Sequence, residues 1–216
     1  VKFLDLDADF FDELRASAAA MTANPADVML ILYGESGLNP ASPGHVAFYE
    51  GLNQIQAPYL KARGVDQADY LTWPASRQMR EIVGPFLTAQ VRQLLGKPVR
   101  SAGVLEALNL YPASVKKHGD APDSIVIDGN SSDPGERLAY VKNQALDRNH
   151  DGAITISDLD EWLGGLSKQK PFQQALAQLG GDISPAGGGR RATSPWAILG
   201  GLTVIAAAVV VARRIK

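Results

Sequence analysis

A surface helix scatters its charges along one face, but residues 28–33, "VMLILY", run six apolar side chains straight into one carboxylate, Glu35. The chain then breaks at once with Ser-Gly-Leu-Asn-Pro. Asn24 before Pro25 reads as an N-cap followed by a proline at the first helical position, and Gly37 reads as the stop. Glu35 is therefore expected at the C-terminal end of an apolar helix, beside a turn and partly out of water. Desolvation disfavours a charged carboxylate, so its pKa should rise towards neutrality, where it can donate a proton.

The surrounding pattern is mainly α-helical. Phe10, Leu14, Ala18 and Met21 recur at helical spacing, as do Met79, Ile82, Val83, Phe86, Val91, Leu94 and Leu95. Pro85 should kink or split the second of these helices. A shorter helix is expected around "SAGVLEALNL". Strand signals are weak, "SIVIDG" being one short candidate without an obvious partner. Four regions follow: 1–125, a helical domain; 126–180, a smaller helical unit; 181–194, a Gly-, Pro- and Ser-containing linker; and 195–216, an apolar C-terminal segment.

Composition removes several functional classes. The chain has no cysteine, so thiolate metal sites and cysteine nucleophiles are out, and its three histidines are scattered. A net charge of −2 without a basic stripe argues against nucleic-acid recognition. The N-terminal "VKFLDLDADFFDEL" lacks the basic start and apolar core of a signal peptide.

Residues 147–158, "DRNHDGAITISD", resemble an EF-hand loop. Asp147, Asn149 and Asp151 supply oxygens at positions one, three and five. Gly152 makes the turn, Ala153 offers a carbonyl, Thr155 fills position nine and Asp158 the last place. The resemblance implies a structural Ca2+ site. Asp158 is shorter than the usual glutamate, so affinity should fall and Mg2+ should compete. Leu138, Val141 and Leu146 on one side, with Leu159, Trp162 and Leu163 on the other, fit flanking helices. The alternative is an Asx-rich turn holding no metal.

The uncharged run from Pro195 to Ala212 would span about 27 Å as a helix, close to a bilayer core. Trp196 and the closing Arg213, Arg214 and Lys216 suit the two interfaces. A transmembrane-type helix is expected there, with a membrane or other proteins of an assembly as its partner.

Three segments carry a family resemblance across roughly residues 25–120. "ESGLNPAS" at 35–42 is similar to the opening motif of lysozyme-like lytic transglycosylases, "GLNQI" at 51–55 to their cleft element, and "LEALNLYPASVKKHG" at 105–119 to their later asparagine-bearing element. The resemblance implies a lysozyme-like helical fold and cleavage of the MurNAc–GlcNAc bond of peptidoglycan. Glu35 would be the single general acid and base, with Ser36, Tyr49, Glu50, Gln54 and Asn109 lining the glycan site. A product ending in 1,6-anhydromuramic acid would follow. Two departures stand out: "GHVAFYEG" replaces the family's serine and "GAxG", and Leu108 replaces its tyrosine, for which Tyr111 or Tyr49 could substitute.

A two-carboxylate muramidase using Glu50 is the runner-up enzyme, and a non-catalytic binding or structural protein the other alternative. A phage virion protein that opens the cell wall during genome delivery is the expected setting. A protein of the bacterial inner membrane facing the periplasm is the second.

Overall fold

The computed structural model describes residues 6–43 and 49–180. In chain order, α1 is Phe10–Ala20, α2 is Pro25–Ser36, β1 is Tyr49–Glu50 and β2 is Ile55–Gln56. Next come α3 (Ala57–Ala62), α4 (Gln67–Leu71), α5 (Ala75–Gln78) and α6 (Gly84–Gln90). They are followed by α7 (Ala102–Leu110), α8 (Pro112–His118), β3 (Ile125–Asp128) and α9 (Pro134–Asn143). The last are β4 (Ala153–Thr155), α10 (Ile156–Leu166) and α11 (Lys170–Gly180).

α2 is the central element. The Asn24 side chain accepts from the Ala26 N–H, Pro25 stands where an intrahelical N–H is not needed, and Gly37 closes the helix at φ 66°. Val28, Met29, Leu30, Ile31 and Leu32 are all buried, each contributing about 1.5–3 kcal/mol as an upper bound. Burial on every side is possible because α1, α7, α10 and α11 all pack against α2. Phe10, Leu14 and Ala18 of α1, with Met21 just beyond it, form the buried face expected of them.

Pro85 neither breaks nor ends its helix. Between α5 and α6 the backbone widens into a π-helical turn, Met79–Val83, and Gly84 N–H bonds Met79 O. The wider turn absorbs the ring that would otherwise meet the carbonyl of the preceding turn. A second π-helical turn, Val91–Leu95, continues the rod to Gly96.

One buried apolar cluster runs from Phe10 to Leu179, and the boundary expected at 125/126 falls within β3. β3 finds its partner in the loop read as a cation site: Ile127 pairs with Ile154 and Asp128 with Ala153, antiparallel. α9 is oriented differently from expectation. Leu138 and Val141 are 51% and 67% exposed, whereas Glu136, Ala139 and Asn143 face inward. Polar ties set this rotation, because Glu136 accepts the Asp128 N–H and Tyr140 donates to Asp147.

The expected C-terminal transmembrane helix finds no support among the described residues. Residues 181–216, which held the expected linker and that helix, lie outside the described residues. Among the described residues no helix is long and apolar enough to cross a membrane. The fold described is helical with two small antiparallel ribbons, and a membrane partner has no support in it.

α7 and α10 meet at Gly103. A Cβ there would lie 2.7 Å from the Ile156 carbonyl oxygen and 2.6 Å from Asp160 Oδ1, which already accepts the Gly103 N–H at 2.7 Å. Gly103→Ala is expected to lower stability by about 1–3 kcal/mol through overpacking, despite alanine's helix propensity. Urea unfolding measures this.

Candidate functional site: a buried carboxyl pair

Glu35 ends α2 and is 8% exposed. The next residue fastens that end to the following loop. Ser36 Oγ lies 2.8 Å from Leu52 O and 3.1 Å from Leu32 O, and it accepts the Asn39 N–H. The β1–β2 loop is pinned from behind by Gln78, which is fully buried. Its amide donates to Pro40 O at 2.7 Å and Tyr70 O at 3.0 Å, and its oxygen accepts the Leu52 N–H at 3.0 Å. A Cβ on Gly51 would meet that oxygen at 2.6 Å, and Gly51 has φ 75°. Only glycine fits this approach.

α7 supplies the opposite wall. Ser101 caps it by accepting the Val104 N–H, and its sequence is apolar apart from Glu106 and Asn109. Three residues apart, these two share one helical face. Asn109 Nδ2 donates to Glu35 Oε1 at 2.8 Å, and Asn53 Nδ2 donates to Asn109 Oδ1 at 2.8 Å. The resemblance segments thus meet in space as a relay, Asn53 to Asn109 to Glu35.

Glu106 is the residue that sequence reasoning passed over. It is wholly buried, it lies in hydrogen-bonding contact with Glu35, and neither of its oxygens meets an N–H or O–H donor. Burial pushes Glu35 up to about 7, against which contacts with Glu106 and Asn109 pull it down. Burial also pushes Glu106 well above the ordinary carboxylate range, and the adjacent Glu35 charge and hydrogen bond push it further. The i, i+3 spacing of Glu106 and Asn109 inside an apolar helix was the available signal.

The other expected glycan-site residues are arranged differently. Glu50 Oε1 accepts from Gln67 on α4, so Glu50 is not the carboxyl beside Glu35. Gln54 is half-buried and donates to Gly51 O at 3.1 Å, within its own turn. The Tyr49 hydroxyl accepts from Gln56 at 3.3 Å. Leu108 is buried in the core. Tyr111 is pushed up by burial and by the Glu136 and Asp133 charges on the α9 side. Residues 44–48, inside the departing "GHVAFYEG", lie outside the described residues.

The expected cation loop is a self-satisfied Asx-rich turn. Asp147 is buried. Its Oδ1 accepts the His150 N–H at 2.7 Å, and its Oδ2 accepts the Tyr140 hydroxyl at 2.7 Å and the Gly152 N–H at 3.0 Å. Burial raises its pKa, but these hydrogen bonds outweigh that and hold it below the usual value. Asn149 and Asp151 bond each other, and Asp151 Oδ1 accepts the Ala153 N–H. Asp158 turns back into its own helix. Its Oδ2 accepts the Thr155 N–H and hydroxyl at 2.9 and 2.5 Å, and its Oδ1 the Arg148 N–H at 3.2 Å. Thr155 and Asp158 thus form the capping box of α10.

The Ca2+ or Mg2+ expectation for Asp147, Asn149, Asp151, Ala153, Thr155 and Asp158 is corrected accordingly. The oxygens that would converge on an ion are committed to N–H and O–H donors. Among the described residues no group of three or more His, Cys, Asp or Glu could hold a metal.

Two measurements follow. Asp158→Ala should cost about 0.5–2 kcal/mol, the worth of a lost cap, by the same amount in calcium and in chelator during urea unfolding. The carboxyl pair should also make stability depend on pH. With a folded pKa above the unfolded one, the native state holds protons that the unfolded chain releases. Stability should fall as pH rises from 4.5, the Glu35 contribution ending above about 7 and Glu106 extending the fall. Thermal melts across pH 4–9 should show that decline, and Glu106→Gln should flatten it.

Compared with family models, curated proteins and solved structures, the chain finds no match in any of the three.

Proposed function

We propose that the chain cleaves peptidoglycan glycan strands as a lytic transglycosylase, with Glu35 as the general acid and then the general base. The observation that carries this reading is the setting of Glu35. It is a nearly buried carboxyl with its pKa raised to about 7, held at one oxygen by Asn109. A general acid needs a proton still present near neutrality and a fixed direction in which to give it. Burial supplies the first condition, and the Asn53–Asn109 relay the second.

The position of the second carboxyl favours the single-acid route. Glycosidases that divide the work between two carboxylates hold them about 5–9.5 Å apart, across the scissile bond. Glu106 touches Glu35, which leaves no room for a sugar between them, and Glu50 is turned towards Gln67. Glu35 would protonate the glycosidic oxygen as the bond to the anomeric carbon breaks. Its carboxylate would then take the proton of the muramyl 6-hydroxyl as that oxygen closes on the same carbon. The sum consumes no water and leaves an anhydro end.

A non-catalytic structural or binding protein is the second reading. It is favoured by Ser36 and Gln54, which hydrogen-bond Leu52 O, Leu32 O and Gly51 O within the fold.

Zymography on purified murein, with mass spectrometry of released fragments, tests the proposal. The expected products carry 1,6-anhydromuramic acid. Glu35→Gln should lose about 10²–10⁴-fold in release, whereas Glu50→Gln should stay near wild type. No release by the wild-type chain would select the second reading.

A further inference from the structure

Glu106 is unusual because of what it lacks. A buried carboxyl normally finds a cation, a metal or several N–H donors. Glu106 is wholly buried, and among the described residues no N–H or O–H reaches either oxygen. The polar group that bears on it is the carboxyl of Glu35. Two carboxylates are both acceptors and cannot bond each other, so the contact becomes attractive only when one of them carries a proton.

The surroundings decide which one. The elements packed against α7 are α2, α6, α8, α10 and the π-helical turn 91–95. Their charged groups are Asp27 at the far end of α2, Asp158, Asp160 and Glu161 on α10, Arg92 on the turn, and Lys116, Lys117 and His118 on α8; α6 has none. Arg92, Lys116, Lys117 and His118 are exposed. Asp158 is bound in its cap, and Asp160 holds the Gly103 N–H. Glu50 of the neighbouring ribbon accepts from Gln67. The charge that bears on Glu106 is that of Glu35. Glu35 also receives the Asn109 N–H, which favours its anion, while Glu106 receives nothing.

We infer that Glu106 is a permanently protonated positioning residue whose carboxylic O–H donates to Glu35, so that the reactive carboxyl is gripped by two donors, Glu106 and Asn109. The consequence for catalysis rests on the proposed function; the protonation assignment does not. Gripped this way, Glu35 is held in orientation and has fewer places left for its own proton. After that proton leaves for the glycosidic oxygen, the Glu35 carboxylate keeps two hydrogen bonds in a dry site. The same carboxylate is then ready to take the proton of the attacking hydroxyl. Glu106 gives up no proton in either step; it stabilises the charge that Glu35 acquires between them.

Carbon-detected NMR titration of the full chain, labelled at the glutamate carboxyls, reads the pair directly. The sequence has seven glutamates, and Glu35→Gln and Glu106→Gln identify the two signals. Glu35 should titrate near pH 7, while Glu106 should keep the shift of a neutral acid after Glu35 has titrated. Glu106→Gln retains a neutral donor and should rescue what leucine loses, leaving the Glu35 midpoint and murein release closer to wild type than in Glu106→Leu. Glu106→Leu removes the donor. It should raise the Glu35 midpoint by about one unit and move the alkaline limb of the pH–rate profile with it. Release at neutral pH should fall roughly tenfold, the scale of one charge-assisted hydrogen bond.

Glu106 titrating at or below Glu35 would overturn the inference, as would Glu106→Leu leaving both the midpoint and the limb in place. If the leucine variant does not fold, the wild-type titration alone decides. Should Glu35→Gln still release murein, the catalytic reading fails and the carboxyl titration still stands or falls by itself.

Discussion

The structure depends on α2 being enclosed on all sides. Its apolar run can be stable only if other helices remove it from water, and α1, α7, α10 and α11 do so. The enclosure has an electrostatic consequence at the C-terminal end of the helix. Glu35 follows directly on the buried run, so it is carried into the same dry space, where its charge is disfavoured. Packing and acidity are therefore one problem here. The contacts that stabilise α2 are those that keep a proton on its last acidic side chain.

Polar groups in this fold fall into two kinds, and the contrast is informative. In the loop from Asp147 to Asp158 the acidic oxygens are met by backbone N–H groups or hydroxyls. Such a loop is rigid and complete, and its acids work as connectors between α9, β4 and α10. At the α2–α7 contact the opposite holds. Glu106 has no donor, and the buried Asn53 Oδ1 has no partner either. Unmet polar capacity inside a core is costly, and part of it lies beside Glu35. Gln78 shows how the cost is contained, since its fully satisfied amide ties residues 40, 52 and 70 together beneath the site.

Much was legible from local rules. Asn24, Pro25 and Gly37 bound α2 because capping and φ preferences act within a few residues. The faces of α1 followed from a period of 3.6, and the raised pKa expected of Glu35 followed from its neighbours in the chain. The pairing of Asn109 with Glu35 was reachable only through the motif resemblance, since 74 residues separate them. α9 was misread because Leu138 and Val141 satisfy the apolar period, yet Glu136 and Tyr140 find better partners inward. Pro85 was misjudged because a π-helical turn has no compositional signature of its own.

The sequence by itself determined the helical class, the limits of the central helix, and the placing of one acid at the end of an apolar run. These depend on interactions between residues a few positions apart. Only the tertiary structure decided that Glu106, not Glu50, is the carboxyl beside Glu35. It alone decided, too, that the acids of the 147–158 loop are consumed by their own backbone. Both outcomes turn on which donors reach an oxygen after packing, and that is a property of three-dimensional neighbours.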